Sequence, residues 1–161
     1  MESNGNRQSY EIRWAEDSEW YPAMNMIWRT FLRFEGNDYS REGIRHFYDF
    51  ITDDDLHQLF LRGKYQMLVA LCDGEVIGSA SVRNGNHLSL LFVDERFHRM
   101  GVGSALLSKL CDYLKYEAGE RYMSLQAAPY AVNFYKKQGF HVVQPEQEYS
   151  GIVVTGMEKI L

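Results

Sequence analysis

The chain carries only two cysteines in 161 residues, Cys72 and Cys111. Two isolated cysteines, each in an apolar stretch, make neither a disulfide framework nor a metal site. Their expected state is the buried free thiol of a reducing compartment. No apolar run is long enough to span a bilayer, and nothing at the N-terminus has the plan of a secretory signal. The expectation is a cytoplasmic protein with no membrane partner. There are three prolines, and no Pro/Gly-rich linker, internal repeat or low-complexity tract. Residues 1–161 therefore read as one domain with a real core, preceded by a polar, flexible lead over 1–8. Positive charge is not in excess either. A formal net charge of −5 argues against a nucleic-acid partner and suits a cationic or amine ligand.

Two phosphate signatures are also missing from the glycine-bearing stretch Leu88–Leu107. No Gly-Lys-Ser/Thr follows its glycines, which excludes a P-loop, and no third glycine completes the dinucleotide fingerprint. What is present is an apolar run, a charged bend, Gly101-Val102-Gly103, then Ala105-Leu106-Leu107. The pattern predicts strand, tight turn, helix. Glycines let a ligand approach the backbone, and the first amides of a helix attract an anion. A plain strand-helix turn would show the same pattern.

The rest of the chain alternates strand and helix signals. Tyr10–Trp14 alternates as a short strand. Asp17 and Ser18 can cap a helix whose apolar stripe is Trp20, Met24, Ile27, Trp28, Phe31 and Leu32. Ser40 caps a second helix with Ile44, Phe47, Tyr48, Phe50 and Ile51 on its apolar face. The acidic break Thr52–Asp55 lacks calcium-loop spacing and suits a solvated helix start, with a short helix or turn over Leu56–Leu61. Strands over 65–71 and 75–82 flank Asp73-Gly74, a strong hairpin turn. A third strand, His87–Val93, follows Asn84-Gly85-Asn86. The helix after Gly103 should reach Lys115 or Tyr116. A strand over Tyr122–Ala127, a helix opening at Pro129 and stopping at Gly139, and strands over Phe140–Val143 and Ile152–Leu161 complete the chain. An acidic loop over 144–151 joins the last two. The order β-α-α-β-β-β-α-β-α-β-β is that of an α/β or α+β domain.

This order, with two motifs, resembles the GCN5-related N-acetyltransferase (GNAT) superfamily from Tyr10 to Leu161. His98-Arg99-Met100-Gly101-Val102-Gly103-Ser104-Ala105 looks like the family's Gln/Arg-x-x-Gly-x-Gly/Ala acetyl-CoA signature. Ala131-Val132-Asn133-Phe134-Tyr135-Lys136-Lys137-Gln138-Gly139-Phe140 looks like its A-x-x-F-Y-x-x-x-G-F helix-to-strand signature. The resemblance implies a mixed, mostly antiparallel sheet flanked by helices and splayed at the cofactor-binding strand.

It also implies acetyl-CoA as cosubstrate, no metal, and direct transfer of the acetyl group to a primary amine of a small molecule or peptide. Leu91, Phe92 and Val93 would offer backbone groups to the pantetheine and acetyl carbonyl. His98, Arg99, Met100, Gly101, Val102, Gly103 and Ser104 would wrap the pyrophosphate. Tyr135 would be the general acid. Two positions depart from the family: His98 replaces Gln or Arg, and Ala128 replaces an asparagine that binds pantetheine, a contact Asn133 could replace.

The general base stays open between His87, Glu35 and a bound water, with Glu148 and Tyr149 near the same mouth. His87 lies where some lysine-acetylating relatives have a glutamate, and imidazole titrates near neutrality. Glu35 follows the first helix, where the family builds its acceptor site. Pairing of two copies through late strands is a further implication. Two alternatives remain at this stage: a non-catalytic acyl-CoA-binding sensor, and a transferase using a longer acyl-CoA.

Overall fold

Period-two alternation and β-branched content make the strands, and two turn dipeptides set how they pair. Both Asp73 and Gly74 have positive φ, 50° and 79°. So do Asn84 and Gly85, at 54° and 87°. Left-handed residues at both central positions match the twist of a tight hairpin. They join β2 (Gln66–Cys72), β3 (Glu75–Arg83) and β4 (His87–Val93) into an antiparallel meander. The computed structural model describes residues 9–149 and 151–161. The flexible lead expected over 1–8 lies outside these residues.

The remaining strands are β1 (Glu11–Trp14), β5 (Tyr122–Ala127), β6 (His141–Val142), β7 (Gln147–Tyr149) and β8 (Ile152–Ile160). Their order across the sheet is β1-β2-β3-β4-β5-β8-β6, with β7 paired to β8. Among the described residues only the β4–β5 pair is parallel. The helices are α1 (Trp20–Phe34), α2 (Arg41–Ile51), α3 (Asp54–Leu61), α4 (Val102–Asp112) and α5 (Val132–Lys137). This is the mixed, mostly antiparallel α/β architecture expected from the sequence.

The sheet buries both faces. On one, α4 and α5 pack Val102, Leu106, Leu107, Leu110 and Tyr135 against β2–β5. On the other, Trp20, Met24 and Ile27 of α1 and Ile51, Leu56 and Phe60 of α2 and α3 meet Met67, Val69 and Leu90. Burying one such Leu or Ile contributes about 1.5–3 kcal/mol. Gly78 is what lets α4 come so close. A Cβ there would sit 3.1 Å from Leu106 Cδ1 and 3.3 Å from Val102 Cγ1.

Three details differ from the sequence expectation, and one alternative left open there is resolved. Leu32, assigned to the buried stripe of α1, is 45% exposed. The short segment after the acidic break is a helix, because the Asp53 carboxylate caps it by accepting from the Asp55 amide at 2.9 Å. The acidic loop contains β7, whose pairing with β8 is set by main-chain bonds that its polar side chains do not advertise. Helix α4 ends at Asp112 and continues as a π-turn over Tyr113–Glu117.

Asp94 ties the end of β4 to α1. It is 4% exposed and accepts from Arg29 Nη2 at 2.8 Å, Arg96 Nε at 3.1 Å and the Arg96 amide at 3.0 Å. Burial opposes its ionisation, but these donors outweigh burial and hold its pKa down at about 2. The stabilisation is therefore present above the usual aspartate range and is lost as pH falls toward 2. Asp94→Asn should cost about 1–3 kcal/mol at neutral pH. Urea unfolding should show the gap between variant and parent narrowing at pH 3.

Candidate active site

The site begins where β4 loses a neighbour. The parallel pair β4–β5 is made at His87 and Ser124 alone, after which the strands part. Strand β3 pairs with β4 as far as Val93, but its register slips between Ser81 and Val82, leaving Ser89 as an extra residue. Such a bulge bends a strand and puts two consecutive side chains on one face. Here Ser89 accepts from the Tyr65 hydroxyl at 2.8 Å, while Leu90 joins the α1–α3 core. The splay opens a cleft of about 640 Å³ between α1–α2, β4, β5 and the starts of α4 and α5.

One end of the cleft is the turn into α4. Arg99 and Gly101 are both left-handed, at φ 64° and 78°, and turn the chain sharply. Gly101 then stands at the N-cap with no side chain to cap the helix. By contrast, α2 is capped by the Ser40 hydroxyl, which accepts from the Gly43 amide at 3.0 Å. The first intrahelical bond of α4 runs from the Ala105 amide to the Gly101 carbonyl. The amides of Val102, Gly103 and Ser104 thus have no intrahelical acceptor, and they lie on the cleft. Together with the helix dipole they can hold an anion. Gln138 Nε2 donates to Ser104 Oγ at 2.9 Å, so the two sequence signatures meet in space.

Glu35 closes α1 in the middle of the cleft. Its amide donates to the Phe31 carbonyl at 2.8 Å, and the residue is 7% exposed. Among the described residues no lysine or arginine forms an ion pair with it. A buried carboxylate without a cation resists ionisation. Burial raises its pKa to about 7, against a lowering hydrogen bond from the Tyr130 hydroxyl and with a further rise from Asp38. Tyr39 and Tyr130 line the same cleft. Desolvation in the cleft and then the Glu35 charge push the pKa of both phenols up, although Tyr130 keeps 60% of its surface exposed. Tyr135 packs between Phe134 and Phe140, with ring centroids at 5.1 and 5.6 Å. Its pKa is also raised, by burial first and Glu35 second. The arrangement is a proton acceptor poised near neutrality, surrounded by three phenols that keep their protons.

Comparison with known proteins is decisive for the family. Residues 35–161 match the model of the acetyltransferase (GNAT) domain. The chain belongs to the GNAT acetyltransferase family. Over 71 residues it is 35% identical to the peptidyl-lysine N-acetyltransferase YiaC of Escherichia coli K12, a match covering 44% of this chain and 47% of that one. The chain thus spans about half the length of this curated relative. Two solved structures share its fold. One is a GCN5-related N-acetyltransferase from Rhodopseudomonas palustris, with TM-score 0.81, 21% identity and coverage of 95% and 96% of the two chains. The other is the PaiA N-acetyltransferase of Thermoplasma acidophilum in complex with coenzyme A, with TM-score 0.80, 20% identity and coverage of 95% and 99%.

Within this GNAT fold, most residues singled out in the sequence line one cleft. Glu35, His87, Leu91, Phe92, Val93, His98, Arg99, Gly101, Val102, Gly103, Ser104 and Tyr135 all contribute to its wall. Four do not. Met100 is 43% exposed, Asn133 is exposed on α5, and Glu148 and Tyr149, expected near the mouth, are exposed on β7; none of the four lines the cleft.

The Val93 carbonyl is already engaged, accepting from His98 Nε2 at 2.6 Å. His98 also packs on Phe34 at 4.8 Å between ring centroids. This histidine pins the turn to the strand. His87 is half-buried, with Nδ1 2.8 Å from Ser124 Oγ. Burial first and the Arg83 charge second lower its pKa, keeping it neutral.

Tyr130 and Arg83 line the cleft and went unremarked as site residues in the sequence. Tyr130 directly follows Pro129, which was the only local hint of a fixed orientation.

Proposed function

We propose that this chain is an acetyl-CoA-dependent N-acetyltransferase, passing the acetyl group directly to a primary amine of a small molecule or peptide. The observation that carries the reading is a single cleft with an uncapped helix start at one end and Glu35, Tyr130 and Tyr135 beyond it. The residues present fit the cofactor. A Cβ at Gly101 would meet nothing within 4 Å, and at Gly103 it would meet only Val93 and Phe134 side chains, at 3.7 and 3.8 Å. The backbone there is open to a pyrophosphate. The amides of Val102, Gly103 and Ser104 would hold it. The unpaired edge of β4 at Leu91 and Phe92, faced by Leu125, Ala128 and Ala131, would hold the pantetheine.

Bound acetyl-CoA supplies the activated acetyl group. The chain supplies proton handling and position. An amine arrives at neutral pH as an ammonium and must lose a proton before it can attack. Glu35, ionised above about pH 7, accepts that proton at its carboxylate. The nearby Tyr130 hydroxyl tempers the rise in its pKa. Tyr135 holds a proton at its hydroxyl for the departing sulfur, and its raised pKa keeps that proton available. Holding both substrates in one cleft supplies much of the rate. The name of the Escherichia coli relative adds support for an ammonium on a long alkyl chain as acceptor.

The test is thiol release from acetyl-CoA over a panel of amino acids, polyamines, aminoglycosides and lysine peptides. The expected result is turnover with a subset of amines and none without an amine. Tight acetyl-CoA binding with no thiol release for any amine would overturn the reading in favour of an acyl-CoA sensor. Propionyl- and butyryl-CoA in the same assay set the acyl length.

A further inference from the structure

The far end of the cleft, away from the α4 turn, is basic. Glu35 is the only carboxylate among its described lining residues, although the whole chain has 22 Asp and Glu against 17 Lys and Arg. The lining there is His46, Phe47 and Phe50 from α2 and Arg83, His87 and Ser89 from β3 and β4. Arg83 and His87 are cross-strand partners in the β3–β4 register. The Arg83 guanidinium lies 5.9 Å from the Phe50 ring centroid, a cation-π placement that holds it over the mouth.

Four described arginines pair with carboxylates: Arg13 with Glu19, Arg29 with Asp94, Arg33 with Glu95, and Arg96 with Asp94 and Glu75. Of the described arginines without such a pair, Arg83 and Arg99 line the cleft, Arg99 at the α4 turn and Arg83 at the opposite end. Arg83 has no such partner among the described residues. His87 is fixed through Nδ1 by Ser124, and its Nε2 has no protein partner among the described residues. A guanidinium facing a cleft beside a free ring nitrogen, with no acid to neutralise it, matches a planar anion.

We infer that the amine acceptor carries a carboxylate, bound by Arg83 with His87 at the β3–β4 end of the cleft while its amine meets Glu35. The inference rests on the transferase reading for the identity of the amine end. Spacing narrows the class. From His87 to Leu91 the strand advances four residues, roughly 13 Å at most at 3.3 Å per residue and less across the Ser89 bulge. An α-amino group shares its carbon with the carboxylate and cannot bridge most of that span. An amine at the end of an alkyl chain can, as in lysine or an ω-amino acid. The acceptor site thus reads both ends of a zwitterion: a carboxylate that accepts an ammonium proton, and an arginine that fixes the opposite charge.

The experiment uses matched pairs that differ only in the carboxylate: 6-aminohexanoate against hexylamine, and lysine against lysinamide. Thiol release with the parent protein should favour each carboxylate member in kcat/KM. Arg83→Gln should cost the carboxylate members about 10- to 100-fold, through KM, as expected for one charge-assisted hydrogen-bond pair. Hexylamine and lysinamide should stay within about twofold, since they have no charge to lose there.

Equal losses for both members, or no preference in the parent, overturn the anion site and leave the transferase reading standing. Calorimetry of 6-aminohexanoate with the coenzyme-A-saturated protein is the second measurement. Arg83-dependent binding with no thiol release for any amine of the panel keeps the anion site and overturns the transferase reading. Neither binding nor turnover overturns both. Arg83 is exposed, so a thermal melt matching the parent serves as the folding control.

Discussion

Glu35→Gln should lower kcat/KM for the amine acceptor by about 10²- to 10⁴-fold at neutral pH, the usual worth of a positioned general base. The amide keeps the shape and can still accept a hydrogen bond from Tyr130, so packing at the end of α1 is preserved. What it removes is the capacity to take a proton. In the parent, burial places the carboxyl near pKa 7. The base is therefore protonated and idle below that pH and ionised above it, so kcat/KM should climb with pH through about 7. The variant should lose that limb and keep only the slope due to the amine itself.

Tyr130→Phe is the companion test. It removes a hydrogen bond that lowers the Glu35 pKa, so the limb should move to higher pH while remaining visible. A limb unchanged in Glu35→Gln passes the base role to His87 or to water.

The same substitution should stabilise the fold. Glu35 has its folded-state pKa raised above the ordinary 4.5. The folded protein thus binds the proton more tightly than the unfolded chain between 4.5 and about 7. Its contribution to stability is full below that window and is lost as pH rises through it. Glutamine carries no charge at any pH, so the variant should unfold at higher urea than the parent above pH 7 and about equally below pH 4.5. A residue that costs stability in the pH range where the chain needs it ionised is the pattern of a functional group, not of a packing one.

Tyr135→Phe should lower kcat by about 10²-fold or more with little change in the dissociation constant for coenzyme A. The ring sits between Phe134 and Phe140 and is 8% exposed. Phenylalanine retains both contacts, so the thermal midpoint should hardly move. Only the hydroxyl proton is lost. Because burial and Glu35 keep that proton bound at every working pH, Tyr135 adds no limb of its own near neutrality, and the loss should be uniform across the profile. An unchanged kcat overturns its assignment as the acid.

Particular residues show how far the chain could be read without its structure. Gly101, Gly103 and the helix start after them follow from local patterning, because a turn and a helix N-terminus depend on neighbours in sequence. Tyr135 was legible through its signature. Asn133 lies exposed on the six-residue α5, a rotation that no spacing argument fixes. Strand β7 was hidden inside an acidic loop because its partner is β8, and pairing is a main-chain property. Arg83 gives no local signal and Tyr130 only the preceding Pro129, since the groups that give them meaning lie in other segments.

By itself the sequence determines the elements, their order, the hairpin turns and the anion-binding corner, all of which rest on short-range backbone preferences and apolar periodicity. It also names Glu35 and His87 as rival bases and ranks neither. Only the tertiary structure gives the two different surroundings. It buries Glu35 beside Tyr130 and Tyr135 with no ion-paired cation among the described residues, which raises its pKa to about 7, and it half-buries His87 beside Arg83, where burial first and the charge second lower its pKa. Protonation depends on desolvation and on charges a few ångströms away, and those neighbours come from parts of the chain that only folding brings together.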